Sequence, residues 1–267
     1  MRSMTERQLR EIDYHKKRAV LIEEVARPVA YNILKGPDRR WWNHHWSAYA
    51  MLFKQGIAGK SILIPGCGDG HDAIRLSRAG AEVHAFDISR EMLRTAQSCA
   101  DHENVTVCFR AMPAEEIEYP DNRFDMVFAR DILHHCDVAR CISELLRVVK
   151  PGGYIVIDEL YTHSQLQRLR ESRFGCWLRR RLVPVIYPFA KLDVYVTEDE
   201  RKLSDSELTA IKEILKDARS QYFAMIVDRF MPHWEFASKI DRLALKLLGP
   251  AGYFFAGRFI VAGRVRK

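Results

Sequence analysis

The chemistry-bearing residues of this sequence fall at four places: the glycine loop Gly66-Cys67-Gly68-Asp69-Gly70, the acid Asp87, the pair His134-His135 and the acid Glu159. Alternating glycines let a backbone turn tightly and approach a ligand closely. Asp87 stands 19 residues beyond Gly68, and a carboxylate at the end of a second strand suits the two hydroxyls of a ribose. A dinucleotide fingerprint would read G-x-G-x-x-G, but its sixth position here is His71. An imidazole obstructs the close approach to a pyrophosphate, and Asp69 sets a negative charge beside it. The loop is therefore better suited to a cationic or zwitterionic ligand. Histidine titrates near neutrality, so His134 or His135 could serve as a general base, and Glu159 is an equal candidate. The competing reading of the histidine pair is that it shapes its loop or packs on the next helix.

Such residues must be presented by strands that end at one edge. Five short apolar, β-branched runs fit: Ser61–Pro65, Glu82–Phe86, Val105–Phe109, Asp125–Ala129 and Tyr154–Asp158. Nearly continuous apolar character is how parallel strands covered on both faces read. Helical patterns lie between them. Gly70–Ala79 ends at Gly80, Ser89 can cap Arg90–Ala100, and Asp137 can cap a helix with Val138, Ile142, Leu145 and Val149 on one face. Pro151-Gly152-Gly153 stops that helix and turns the chain into the fifth strand. Strands alternating with helices give right-handed crossovers and an α/β, doubly wound, Rossmann-like sheet. Beyond it we expect a helix over Ser206–Ala218, a strand over Gln221–Phe230, a helix over Trp234–Leu248 and a last strand over Tyr253–Val265, which brings the sheet to seven strands. The expected organisation is a helical N-terminal cap at 1–58, a ligand-binding core at 59–160, and a lid insertion at 161–267 that also completes the sheet.

Composition bounds the rest. The chain has 267 residues, with 48% hydrophobic and 29% charged, which excludes disordered and collagen-like classes. No apolar run reaches the roughly 18–20 residues of a spanning helix, and the charged start MRSMTERQLREIDYHKKR does not read as a signal peptide. Six cysteines without a C-x-x-C pair fit reduced thiols, so a cytoplasmic location is expected. His44-His45 and His134-His135 are adjacent pairs; neighbours on a helix diverge by about 100°, which makes them poor joint metal ligands. No metal is expected.

The pieces ILIPGCGDG (62–70), VHAFDIS (83–89), PAEEIEYPDNRFDMVFA (113–129), LHH (133–135) and LLRVVKPGGYIVIDE (145–159), in this order and spacing, resemble the core of the class I S-adenosylmethionine-dependent methyltransferases, especially the methyltransferase type 11 group. The resemblance implies S-adenosyl-L-methionine as methyl donor and a small-molecule methyl acceptor. It implies that Gly66, Cys67, Gly68 and Gly70 line the methionine end and ribose, and that Asp87 accepts hydrogen bonds from the ribose hydroxyls. It further implies that Ile88 and Met92 lie against the adenine, that Ala114 and Glu115 border its edge, and that Ala129, Arg130 and Asp131 sit by the methionine part. The chain departs from the family at Ile64, where an acidic residue is usual, and at Pro113, where Asp is frequent, so the adenine amine needs another acceptor such as Glu115 or a backbone carbonyl.

Tyr14 lies on a helix that in similar enzymes closes over the donor, where it could meet the carboxylate or the sulfonium. Trp41, Trp42 and Trp46 could form a substrate wall, although plain core packing is the favoured reading. The basic stretch 168–181 could be a solvated face, or contact an anionic substrate or a membrane surface. A net charge of +7 and a pI near 9.1 permit RNA binding, but no RNA-binding module is present and Ala129-Arg130-Asp131-Ile132 stands where many base-modifying enzymes carry an N-P-P-Y-type tetrapeptide. A hydrophobic or aromatic acceptor methylated on O, N or C is therefore expected. The alternatives are an RNA methyltransferase and a donor-binding protein without transfer activity. Oligomerisation is left open.

Overall fold

The structure, a computed structural model, describes residues 4–24, 29–31, 41–161, 172–174, 177, 181, 202–223 and 235–267. Its frame is a seven-stranded sheet of β1 (Ser61–Pro65), β2 (Glu82–Asp87), β3 (Cys108–Ala111), β4 (Phe124–Arg130), β5 (Val149–Leu160), β6 (Leu215–Phe223) and β7 (Arg258–Val265), in the order β3-β2-β1-β4-β5-β7-β6. The first five strands run parallel, and β7 is antiparallel to both β5 and β6. Period-two alternation builds a core on each face. Leu63, Val127, Ala129, Ile155, Ile157 and Val261 belong to one cluster. Ile62, Ile64, Met126, Phe128, Val156 and Ile260 belong to the other. That is why these strands read as unbroken apolar runs.

Around the sheet lie α1 (Glu6–Glu24), α2 (His44–Phe53), α3 (His71–Arg78), α4 (Arg90–His102), α5 (Val138–Val148), α6 (Asp205–Glu213) and α7 (Glu235–Leu247). The expected caps are present: Ser89 Oγ accepts the Met92 N–H, and the Asp137 carboxylate accepts the Arg140 N–H. Trp42 and Trp46 are buried, as core packing requires, whereas Trp41 is exposed.

Several boundaries differ from the sequence reading. The third strand starts at Cys108 rather than Val105, because the Val105 N–H is given to the Ala100 carbonyl at the end of α4. The helix expected over Ser206–Ala218 stops at Glu213; from Leu215 the chain pairs with β7 through a bulge at Lys216/Arg219 in which Asp217 has φ 54°. Sheet pairing outweighs a helical pattern that was mostly polar. Of the strand expected at Gln221–Phe230, residues 221–223 form the end of β6 and the remainder lies outside the described residues, as does Trp234. The last strand begins at Arg258, after a 3-10 turn over Gly249–Phe254. Most of 161–201, including most of the basic stretch, also lies outside them.

Candidate active site

β1 delivers the chain into the loop at the carboxyl edge of the sheet. Gly66, Gly68 and Gly70 have φ of 60°, 53° and 78°, a region that L residues with a Cβ resist. A Cβ on Gly66 would stand 2.5 Å from Ile132 Cδ1, whereas the nearest atom to one on Gly68 is Met92 Cε at 3.8 Å. The loop is tied to β2, since the Cys67 N–H donates to the Phe86 carbonyl at 2.9 Å. Asp87 ends β2 and accepts the Gly68 N–H on Oδ2 and the Ser89 N–H on Oδ1, both at 2.9 Å. Loop and carboxylate are thus one rigid unit.

A cavity of about 460 Å³ opens beside that unit. Gly66, Cys67 and Gly68 line it from the loop after β1, Asp87, Ile88 and Met92 from the end of β2 and the start of α4, Arg130 from the end of β4, and Ala114, Glu115 and Asp131 from neighbouring loops. Tyr14 lines it from α1 together with Gln8 and Glu11, and His134 and His135 complete the wall. Three of the expected residues are not among those lining it. Gly70 has a packing role: a Cβ there would meet Ala96 Cβ at 2.7 Å, so the glycine lets α3 approach α4. Ala129 is fully buried within β4. Glu159 is also fully buried and does not face the cleft.

Glu159 instead holds a histidine. Its Oε1 accepts the N–H groups of Ile132 and Leu133, the latter at 2.6 Å, and its Oε2 accepts the Leu160 N–H at 3.2 Å and meets His134 Nδ1 at 2.7 Å. With both Glu159 oxygens accepting from backbone N–H groups, the tautomer that suits this contact carries N–H at Nδ1, so the basic nitrogen of the neutral ring is Nε2. The turn Leu133–His135 follows Asp131, whose φ of 53° redirects the chain after β4. His135 Nδ1 lies 3.2 Å from Glu11. Helix α1 is fastened over the same turn, with Arg7 donating to the His134 carbonyl and Gln8 to Glu115, each at 3.3 Å. Glu115 Oε1 also accepts the Asp137 N–H, so this carboxylate is already engaged at the cavity rim.

Arg130 and Asp131 belong to a charged network whose other members, including the cavity-lining Asp72 and Arg258, sequence reasoning missed. Asp72, in the first turn of α3, meets Arg130 at 2.8 Å and Arg75 at 2.9 Å, and accepts from Tyr49 Oη at 2.6 Å. His45 Nε2 lies 3.3 Å away. Burial pushes the Asp72 carboxyl up, but Arg130, His45 and Arg75 outweigh it and hold the group well below the usual range. Burial and then Arg130 lower His45. Strand register places Asp158 beside Arg130. Asp158 bonds Arg258 at 2.9 Å and His44 Nδ1 at 2.8 Å, and Arg258 also pairs with Asp131. Burial opposes ionisation of Asp131, and Arg258 overcomes it. An acid in a first helical turn reads as dipole complementation, and Arg258 lies too far along the chain to be tied to Asp131 by spacing. Only the doublet His44-His45 is a visible signal, and it reads as a poor joint metal-ligand pair rather than as a polar fastening. Among the described residues, Asp131, His134 and Glu159 bring three ligand-type atoms within 4.8 Å. Those atoms are engaged by Arg258, by one another and by backbone N–H groups, which is the bonding of an internal hydrogen-bond network.

Comparison with known proteins agrees with this geometry. Residues 63–157 match a family model described as a methyltransferase domain. The ubiquinone biosynthesis O-methyltransferase of Alkalilimnicola ehrlichii is 37% identical over 107 residues, covering 39% of this chain and 43% of that one. The chain spans about half the length of the curated relatives it matches. Among solved structures, the [4+2]-cyclase SpnF superposes with a TM-score of 0.54 at 19% identity, over 82% of this chain and 80% of that one. Phosphoethanolamine N-methyltransferase 2 of Haemonchus contortus, solved with S-adenosyl-L-methionine, gives 0.53 at 21% identity, over 83% and 52%. Both likenesses are of fold. With the β1 glycine loop, the acid ending β2 and the antiparallel β7 in place, the sheet has the fold of these solved structures, and residues 63–157 are the stretch that matches the methyltransferase domain.

Proposed function

We propose that the chain moves a methyl group from S-adenosyl-L-methionine to a hydroxyl of a small, hydrophobic or aromatic molecule. The carrying observation is Asp87, pinned by the Gly68 and Ser89 N–H groups at the wall of a cavity whose size suits a nucleoside-containing ligand. The lining chemistry fits the donor. Six carboxylates and two guanidinium groups surround the space, an excess of negative charge that favours a ligand with sulfonium and ammonium groups. Phe86, Ile88, Met92, Met112 and Ala114 supply apolar surface for a purine. The bound donor supplies a methyl group on a positively charged sulfur, open to in-line displacement.

In this reading Asp87 accepts the ribose hydroxyls on its remaining lone pairs, while Gly66 and Gly68 let the backbone come close. Arg130 and Asp131 address the carboxylate and ammonium of the methionine part, with Cys67 beside them and Tyr14 closing from α1. Because Glu115 is engaged by Asp137 and Gln8, a backbone carbonyl near Pro113 and Ala114 is the better acceptor for the adenine amine. His134 takes the proton from the acceptor hydroxyl at Nε2, and Glu159 is its positioning residue. Holding acceptor and donor in line can supply about 7–11 kcal/mol of the barrier. An oxygen acceptor needs a base, which agrees with the O-methyltransferase name of the curated relatives. Five free cysteines among the described residues fit a reducing, cytoplasmic setting.

The test is calorimetric titration with S-adenosylhomocysteine. Wild type is expected to bind, and Asp87→Ala to bind about 1–3 kcal/mol more weakly through lost charge-assisted hydrogen bonds; equal affinity contradicts the assignment. A second reading, donor binding without transfer, is favoured by the likeness to a protein titled a cyclase, since fold does not dictate reaction. Binding of the donor with no label passed to any phenolic acceptor would select it.

A further inference from the structure

Helix α7 is amphipathic in the inverted sense. Ser238, Asp241 and Leu245, at 2%, 3% and 4% exposure, face the protein. On the opposite side Phe236, Ile240, Leu243 and Leu247 are 73%, 49%, 50% and 88% exposed. Their spacing of four, three and four residues makes one continuous stripe at about 100° per residue. An ordinary surface helix turns such a stripe inward, and a contiguous exposed one marks an interaction surface.

The flank of the stripe identifies the partner. Lys239 and Lys246 lie in one row beside it on the same helix, and their ammonium groups stand over the rings of Trp42 and Trp41 at 5.8 and 5.3 Å. Trp41 is itself 37% exposed. The helix carries two acids: Asp241 is buried, and Glu235 pairs with Lys239 at 2.9 Å, which leaves Lys246 to carry the net charge of the row. The outer surface of α7 is therefore an apolar ridge bordered by lysine and tryptophan, in a chain with a net charge of +7. Amphipathic rings and lysine stems settle at the boundary between hydrocarbon and headgroups. A basic border is drawn to anionic lipid, while an apolar stripe inserts by about 5–10 Å. We propose that α7 is a membrane-surface docking helix that recognises anionic phospholipid bilayers, lying in the plane of the interface with Phe236 and Leu247 inserted. The inference is independent of the methyl-transfer reading, since no residue of the stripe lines the cavity.

Vesicle flotation tests it, with phosphatidylcholine alone and with about 30% phosphatidylglycerol added. Full-length wild type is expected to float with the anionic vesicles, at least tenfold more than with the neutral ones, and to be released by high salt. Phe236→Asp/Leu247→Asp is expected to lose flotation at least tenfold, and Lys239→Gln/Lys246→Gln to lose only the preference for anionic lipid. Both variants should keep the wild-type melting temperature and S-adenosylhomocysteine affinity. Three results overturn the proposal: no flotation of wild type; flotation unchanged in the aspartate variant; or an aspartate variant that melts lower or turns a wild-type dimer into a monomer, because the stripe would then be covered by this chain or by a second copy.

Discussion

Gly66 and Gly70 are both glycines at positive φ, yet different neighbours demand them. At Gly66 the crowding atom is the tip of the Ile132 side chain, and at Gly70 it is Ala96 on the adjoining helix. Gly66→Ala is expected to cost about 1–3 kcal/mol from the left-handed backbone, plus the Ile132 clash. Adding Ile132→Ala should recover only the clash, and urea denaturation of the single and double variants measures the coupling. The sequence motif shows that small residues are required here, but it cannot say which glycine meets a ligand and which meets a helix. Glu159 teaches the same lesson: its place at the end of a strand was legible, its three backbone N–H partners were not. Glu159→Gln sets an amide NH₂ against those donors and removes the group that fixes the His134 tautomer. The expected outcome is lower stability together with a shift of the acidic limb of the methyl-transfer pH profile to lower pH, because the imidazolium of His134 loses its carboxylate partner. A reduced rate with an unshifted profile would assign Glu159 to the turn alone.

At the scale of elements, α2 is capped by Asn43, buries Trp46, Tyr49, Met51 and Leu52 in the core, and is further fastened by His44 to Asp158 on β5 and by His45 to Asp72 on α3. His45 is depressed below its ordinary value of 6.5, and Asp72, Asp131 and Asp158 lie below theirs. Folded values below the unfolded ones mean that the folded state resists protonation. The stabilisation is therefore complete above the unfolded values and is lost as pH falls through the folded ones. Thermal stability should begin to decline below pH 6.5, where the unfolded chain's imidazole takes a proton that folded His45 still refuses, and continue through the carboxylate range. His45→Gln should flatten the first part of that decline, and melts across pH 7.5 to 5 would show it. Element existence was well marked wherever a short apolar run stood between glycines and caps, as in β1, β2 and β4. It failed over Ser206–Ala218, where the deciding partner, β7, lies some forty residues further on.

For the molecule as a whole, the decisive strand is the one between β5 and β6. β7 buries Phe259, Ile260, Val261 and Ala262 and carries Arg258 to Asp131 and Asp158. Arg258→Met leaves the buried Asp158 and the half-exposed Asp131 without this cation and is expected to cost about 3–5 kcal/mol, mostly through Asp158, with chemical denaturation as the measurement. A loss below about 1 kcal/mol would show that Arg130 and His44 suffice. The sheet order itself follows from alternating elements and crossover handedness, but the insertion of a reversed strand is a long-range outcome that local periodicity does not encode. Its consequence concerns biosynthesis. A nascent polypeptide can lay down the whole glycine turn and every parallel ladder while β6 still has no neighbour, and Asp131 and Asp158 still lack the guanidinium of Arg258. Ligand competence should therefore appear in a single late step, when the segment from 258 onward clears the ribosome, rather than accumulating as translation proceeds.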